Sequence, residues 1–318
     1  MNINQFNNIF FIGVAGSGMS AIAQYLRGIG KNVSGSDRYF LPGTPNETRE
    51  KLEAEGILCF LQDGSGITDK TDLVVASTAI EDTVFEVQKA KELNIPILRR
   101  SEVLALIAES KKTIAVGGTS GKSTTSAMIF DIMQHAGLEP SIISGAGLTS
   151  IIREGKIGNA KVGKGEWLVI EADESDGSIV QYHPEIGLLL NIEKDHQEID
   201  ELMEIFGTFR DNTKETFITN RSNKLAAKLS VKAENDFATA ASEGAGYTGG
   251  DFAQNGLHIQ FAVNGSVVKM NTVGKHNMEN ALAAIAVVNR LGVSYETAAE
   301  ALAQYEGKIG RASCRERV

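Results

Sequence analysis

With 318 residues, 42% of them hydrophobic and 22% charged, the chain is long enough for two ordinary domains and has the make-up of a globular protein, not a disordered or fibrous one. A formal net charge of -9 and a pI near 5.2 argue against nonspecific nucleic-acid binding, and no stretch approaches the roughly 20 apolar residues of a membrane span. Its two cysteines, Cys59 and Cys314, form no metal-ligand or disulfide spacing, and no basic segment precedes the first apolar run, so a reducing, cytoplasmic setting is expected.

Apolar runs and helical patterns alternate from the start. "NIFFIGV" reads as a strand, "GMSAIAQYLRGIG" as a helix closed by Gly30, and "NVSGSD" as a second strand. The rhythm continues through helix "TREKLEAEG", strand "DLVVAS", helix "TVFEVQKAKELN", strand "IPILR" and helix "SEVLALIAES". Residues 1–109 are therefore expected to form a Rossmann-like, doubly wound α/β domain.

A second unit, expected over 110–307, starts with a strand at 113–116 and a helix over 122–135 whose Met128, Ile129, Ile132 and Met133 make one apolar stripe. Strands follow at "SIISGA", "WLVIEAD", "EIGLLLNI" and "TFITN", with a helix at "ELMEIFGTFRDNTKE". A β-rich patch comes next, its Asn264-Gly265 pair marking a hairpin turn. Helices "NMENALAAIAVVNRLG", with Glu279 in its first turn, and "SYETAAEALAQYEG" complete the unit. Residues 308–318 form a short basic tail without apolar periodicity.

Two glycine-rich turns carry the chemistry. In "GVAGSGMSAIA", Gly13, Gly16 and Gly18 lie between strand and helix, where bare amides can receive a phosphate. Their spacing is G-x-x-G-x-G and not the dinucleotide G-x-G-x-x-G, although Asp37 ends the next strand where a ribose-binding acid would sit. A nucleotide diphosphate site is favoured over a nicotinamide site, and a ligand-free tight turn is the plain alternative.

The other turn, "VGGTSGKSTT", has Val116 where the usual phosphate loop has its first glycine. Gly117, Gly118 and Gly121 still let backbone N–H groups converge on phosphate oxygens. Lys122 can neutralise charge across the β- and γ-phosphates, and the Ser123 hydroxyl stands where Mg²⁺ is held. Strand "EWLVIEADESDGS" runs into Glu171, Asp173, Glu174 and Asp176; if it stays extended, Glu171 and Asp173 share one face and Glu174 and Asp176 the other. Oxygen donors at that strand end suit Mg²⁺. Another buried-type strand leads to Asn191, Asp195 and His196, where chemistry alone leaves His196 either structural or a ligand. His135, His183 and His258 read as structural.

Taken together, "FIGVAGSGMSAIA", "VSGSD", "VVASTAI", "IPILRRSEVLALI", "GTSGKSTT", "EADESD", "NIEKDH" and "GKHNMENALAAIAV" resemble the Mur ligases, ATP-dependent enzymes that join amino acids to the peptidoglycan precursor. The similarity spans residues 8–307 and is greatest to the branch that joins L-alanine to UDP-N-acetylmuramate. It implies ATP and Mg²⁺ as cofactors, and UDP-N-acetylmuramate with an amino acid or short peptide as substrates. It assigns Gly13, Gly16, Gly18, Met19, Ser20 and Asp37 to the UDP-sugar site, and Gly118, Thr119, Ser120, Gly121, Lys122, Ser123 and Thr124 to the ATP loop. By the same resemblance His276 lies against adenine, Asn280 reads its edge and Asn277 and Gly274 frame it. Lys122, Glu174 and His196 are the implied catalytic residues, with Ser123, Glu174 and His196 as metal ligands.

Departures temper the details. Ser120 and Ser123 replace the histidine or asparagine and the threonine more usual in this loop, and "NIEKDHQEID" replaces N-I-E-P-D-H-M-D. The second change leaves a ligase that attaches a preformed muropeptide as a close rival. The family's third, C-terminal domain is expected to be absent, and 308–318 is expected to be an artefactual tail foreign to the family. A P-loop kinase or ATPase switch, a nicotinamide oxidoreductase and a non-catalytic ATP-binding fragment are the competing classes.

Overall fold

The structure is a computed structural model, and it describes all residues except 78, 79, 176, 195–197 and 310–318. His196, Asp195, Asp176 and nearly all of the basic tail therefore lie outside the described residues. Two compact units are present: Met1–Ser110 with Ile143–Val162, and Lys111–Ile142 with Gly163–Lys308.

The first unit opens β1 (Asn8–Ile12), α1 (Ser17–Gly28), β2 (Asn32–Ser36), α2 (Glu47–Ala54) and β3 (Leu58–Phe60), and continues with β4 (Leu73–Ala76), α3 (Phe85–Glu92), β5 (Ile97–Arg99) and α4 (Arg100–Ala108). Its sheet has the order β3-β2-β1-β4-β5, parallel throughout. Ile9, Phe10, Phe11 and Ile12 of β1 are all buried, as a central strand covered on both faces requires. Because β2 and β4 flank β1 on opposite sides, the chain reverses its winding there, and the turn after β1 opens at the switch point where such sheets bind ligands.

In the second unit β6 (Lys112–Gly117) runs into α5 (Lys122–His135) and on to β7 (Ser141–Ile143). The chain then contributes β8 (Gly147–Leu148), α6 (Thr149–Ile152) and β9 (Ala160–Lys161), which lie within the stretch that packs with the first unit. The reason is contact with α1: Asn159 is 2% exposed and hydrogen bonded to it, and a Cβ on Gly28 of α1 would lie 2.6 Å from Val162. Residues 143–162 thus lie in sequence within the expected second unit of 110–307 while grouping in space with the first.

The second unit resumes with β10 (Trp167–Glu171), β11 (Ile186–Leu189), α7 (Ile199–Asp211), β12 (Thr216–Thr219) and β13 (Phe237–Ala238). After these come β14 (Tyr247–Asn255), β15 (His258–Val263), β16 (Ser266–Met270), α8 (Lys275–Arg290) and α9 (Tyr295–Ala303). The order β12-β11-β6-β10-β7 places β6 at the centre, parallel to β10 and β11. Met128, Ile129, Ile132 and Met133 are completely buried, and so are Thr125, Ser126 and Ala127, so α5 is enclosed well beyond a single stripe. A smaller sheet, β13-β14-β15-β16, has its β15–β16 hairpin closed by Asn264 and Gly265 at φ +46° and +90°. Positive φ at both residues is the turn that Asn-Gly favours. Helix α8 begins at Lys275, earlier than the pattern suggests, which moves Glu279 into the second turn.

Candidate functional site

The loop between β6 and α5 is shaped by two glycines in backbone conformations that other residues resist. Gly118 has φ +136° and Gly121 φ +82°; a Cβ at Gly121 would meet Asn280 Oδ1 at 2.6 Å. Asn191, just beyond β11, clamps the loop. Its Oδ1 accepts the Thr119 hydroxyl and the Ser120 amide, each at 2.9 Å, while its Nδ2 donates to Ser120 O at 3.2 Å and its carbonyl accepts the Thr119 amide. The amides of Thr119 and Ser120 are therefore engaged. Those of Gly121, Lys122, Ser123 and Thr124 have no acceptor among the described residues, so the open donors lie at the first turn of α5. That clamp has no signature in the sequence, since it depends on β11 lying beside β6.

Lys122 folds back over this loop, its Nζ donating to Gly118 O at 2.8 Å and to Glu174 Oε2 at 2.7 Å. The pair is largely sheltered, with side-chain exposures of 17% and 8%. Ser123 donates to Glu171 Oε2 at 2.8 Å. Strand alternation does not govern these acids, because β10 ends at Glu171 and the chain turns. Glu174 becomes buried against Lys122, while Asp173 accepts the amide and hydroxyl of Ser175. Among the described residues no three His, Cys, Asp or Glu side chains form a metal cage.

Helix α8 supplies the other wall. Asn280 is 9% exposed, accepts the Thr125 hydroxyl at 3.2 Å and donates to Asn277 Oδ1 at 3.4 Å. Asn277 in turn donates to Thr272 Oγ1 and Val273 O, each at 2.8 Å, and so holds the turn into α8. His276 is exposed beside Gly274, where a Cβ would lie 2.5 Å from the imidazole and the φ of +86° also favours glycine. Glu279, further along, has its carboxyl pushed above the ordinary range by burial, an effect that the hydrogen bond from Asn220 only partly offsets.

In the first unit, Gly13, Ala15 and Gly16 with Asp37, Arg38 and Tyr39 line a cleft of about 400 Å³, closed on its other side by Gln62, Ser77, Ile80, Glu81 and Val84. Asp37 shapes the cleft by accepting the Ala15 amide at 2.9 Å and the Tyr39 amide at 3.0 Å. Gly18 packs under the Arg100 guanidinium. Met19 and Ser20 do not line this cleft: Met19 is 4% exposed and Ser20 1%, its hydroxyl donating to Ser17 O and accepting from Asn159. At positions 19 and 20 an α-helix turns its side chains back towards the core, which glycine spacing does not reveal.

The two units thus define a class: an α/β protein with a glycine-rich strand-to-helix turn after the central strand of each of two sheets. Residues 8–112 match the family pattern described as "Mur ligase family, catalytic domain", and residues 116–288 match "Mur ligase middle domain". The chain belongs to the Mur ligase family. It is 34% identical over 313 residues to a UDP-N-acetylmuramate--L-alanine ligase of Carboxydothermus hydrogenoformans, covering 94% of this chain and 65% of that protein. A ligase of the same name from Dictyoglomus turgidum is 36% identical over 318 residues, with 94% and 65% covered. The crystal structure of UDP-N-acetylmuramate-alanine ligase from Thermotoga maritima superposes with TM-score 0.80 at 27% identity, covering 95% of this chain and 69% of that one. The chain therefore spans about two thirds of the length of these relatives. Among the described residues no helix is long and apolar enough to cross a membrane.

Proposed function

We propose that this chain is the nucleotide-binding portion of an ATP-dependent ligase that joins L-alanine to UDP-N-acetylmuramate in the cytoplasm. The observation that carries the reading is the meeting of open α5 amides, Lys122 and the carboxylates Glu171 and Glu174 at the ends of the adjacent parallel strands β6 and β10. Such an arrangement suits ATP phosphates and a charge-spreading transition state. The muramate carboxylate oxygen attacks the γ-phosphorus as the bond to ADP breaks, giving an acyl phosphate. The amine of the amino acid then attacks the acyl carbon, phosphate leaves, and the amine gives up a proton as the amide forms.

Lys122 would meet the negative charge of the β- and γ-phosphates, a role for which its ammonium must exchange part of its pairing with Glu174. The loop over 118–124 and α8, with His276, Asn277 and Asn280, would seat the nucleotide. In the first unit, Gly13, Gly16, Gly18 and Asp37 would hold the uridine diphosphate. The oxygen donors Ser123 and Glu174, with Glu171 beside them, fit Mg²⁺, which needs few protein ligands when phosphates and water supply the rest. Mg²⁺ held there would neutralise charge on the transferring phosphoryl group. His196 is proposed as the ligand of a second metal.

The experiment is to join this chain to a third domain from an alanine-ligase relative and measure ATP-dependent amide formation on UDP-N-acetylmuramate. Product with L-alanine supports the reading, and product only with L-alanyl-γ-D-glutamyl peptides reassigns the protein to muropeptide attachment. No product with either, or Lys122→Ala turning over at the parental rate, would sink it.

A further inference from the structure

We propose that Asn159, from the excursion that follows β7, is a positioning residue for diphosphate recognition in the first unit. The inference rests on the reading that the cleft after β1 takes a UDP sugar. Helix α1 starts at Gly16 without any side-chain cap, and the amides of Ser17, Gly18 and Met19 have no acceptor among the described residues. A capping side chain would sit where a phosphate must enter, so this turn needs to be held from elsewhere.

Asn159 holds it. The side chain is 2% exposed, and its Nδ2 donates to Ser17 O at 2.7 Å and to Ser20 Oγ at 2.9 Å, while its Oδ1 accepts Gln24 Nε2 at 2.7 Å. Gln24 Nε2 also donates to Ser20 O at 2.9 Å. The orientation of both amides follows from chemistry: Ser17 O can only accept, which turns Asn159 Nδ2 towards it, its Oδ1 towards Gln24, and hence Gln24 Nε2 towards Asn159. Asn159 therefore fixes the peptide plane of Ser17 and the rotamer of Ser20 from behind the helix. The amides on the open side are aimed by a buried residue that does not line the cleft. Burial makes this stiff, since a buried amide that loses its partners has no water to turn to.

The test uses the 318-residue chain with Asn159→Ala and with the double variant Gln24→Leu/Asn159→Leu, which removes both ends of the amide pair. Dissociation constants are measured by NMR titration for UDP-N-acetylmuramate, for UDP and for uridine, with thermal unfolding alongside. Asn159→Ala is expected to weaken both diphosphate ligands about tenfold, the equivalent of ~1.4 kcal/mol, and to leave uridine within about twofold. In the double variant, stability returns towards the parent because no side-chain amide is left half-paired and Ser17 O keeps the Ser20 hydroxyl as donor, yet the diphosphate defect persists. Equal weakening of uridine and UDP, or recovery of UDP affinity together with stability, would show that Asn159 is only structural and overturn the proposal. If the parent chain binds neither UDP compound, the cleft reading itself falls and takes this inference with it.

Discussion

Gly121→Ala is the sharpest probe of the ATP loop, because both of its costs can be worked from the structure. The residue sits at φ +82° and ψ -10° as the N-cap of α5, a left-handed conformation that costs an alanine roughly 1 kcal/mol. The new methyl would also lie 2.6 Å from Asn280 Oδ1 and 3.3 Å from Leu190 Cδ1. Asn280 would have to withdraw, losing the 3.2 Å hydrogen bond from Thr125, worth about 1 kcal/mol where both groups are buried. The sum, about 2 kcal/mol, corresponds to a fall in melting temperature of roughly 4–8 °C for a unit of this size. ATP affinity should fall at least about tenfold, since the amides of 121–124 turn with the strained cap. Differential scanning fluorimetry and titration with a fluorescent ATP analogue check both numbers. The double variant Gly121→Ala/Asn280→Ala separates the causes: relative to Asn280→Ala alone, only the backbone cost of roughly 1 kcal/mol should remain. A Gly121→Ala protein that melts within about 1 °C of the parent and binds ATP as tightly would refute both the strain and the contact.

Three further outcomes follow from the same geometry. Lys122→Ala removes the ammonium that donates to Glu174 and Gly118 O, so urea unfolding should register a loss of about 1–2 kcal/mol and nucleotide titration should lose ATP binding together with it. Asp37→Ala frees the amides of Ala15 and Tyr39, and calorimetric titration should show weaker binding of uridine and UDP alike, in contrast to Asn159→Ala. Glu279 has a folded-state pKa raised above 4.5 by burial, so between pH 4.5 and that higher value the folded chain holds a proton that the unfolded chain has released. Stability should therefore fall as pH rises through this window, and Glu279→Gln should flatten that part of the curve in unfolding experiments run across it.

Much of the fold was legible because its cues are local. Alternating apolar runs and helical stripes marked β1, α1, β2, β4, β6 and α5, and Asn264-Gly265 marked a turn whose φ values are those the pair favours. Two strands gave weak signals for physical reasons. The edge strand β3 is only three residues long, and β14 contains Gly249, Gly250 and Asp251 with a register shift between Gly250 and Ala253, which breaks the alternation. The excursion at 143–162 was invisible for a different reason: its membership of the first unit rests on Asn159 and Val162 meeting α1 across more than 130 residues of chain.

The candidate site divides along the same line. Glycines, lysine and hydroxyls could be read in place, since the phosphate turn is a local device. The partners could not, because each comes from a different strand end: Glu171 and Glu174 from β10, Asn191 from β11, Asn280 from α8. The Ser123 hydroxyl, expected on the metal side of the loop, donates to Glu171, so its oxygen and that carboxylate form a pair of hard donors. The serine thus offers the hydroxyl that threonine would without the extra methyl, and Lys122 is held between Glu174 and Gly118 O. Charge balance explains that posture: a sheltered ammonium is held by a nearby anion, here the glutamate just beyond the end of the adjacent strand. On the proposed function, a phosphate that reaches Lys122 would exchange places with Glu174 as its partner. On this argument Glu174→Gln should tighten the hold of Lys122 on phosphate while impairing turnover, a split between nucleotide affinity and rate that a purely structural ion pair would not produce.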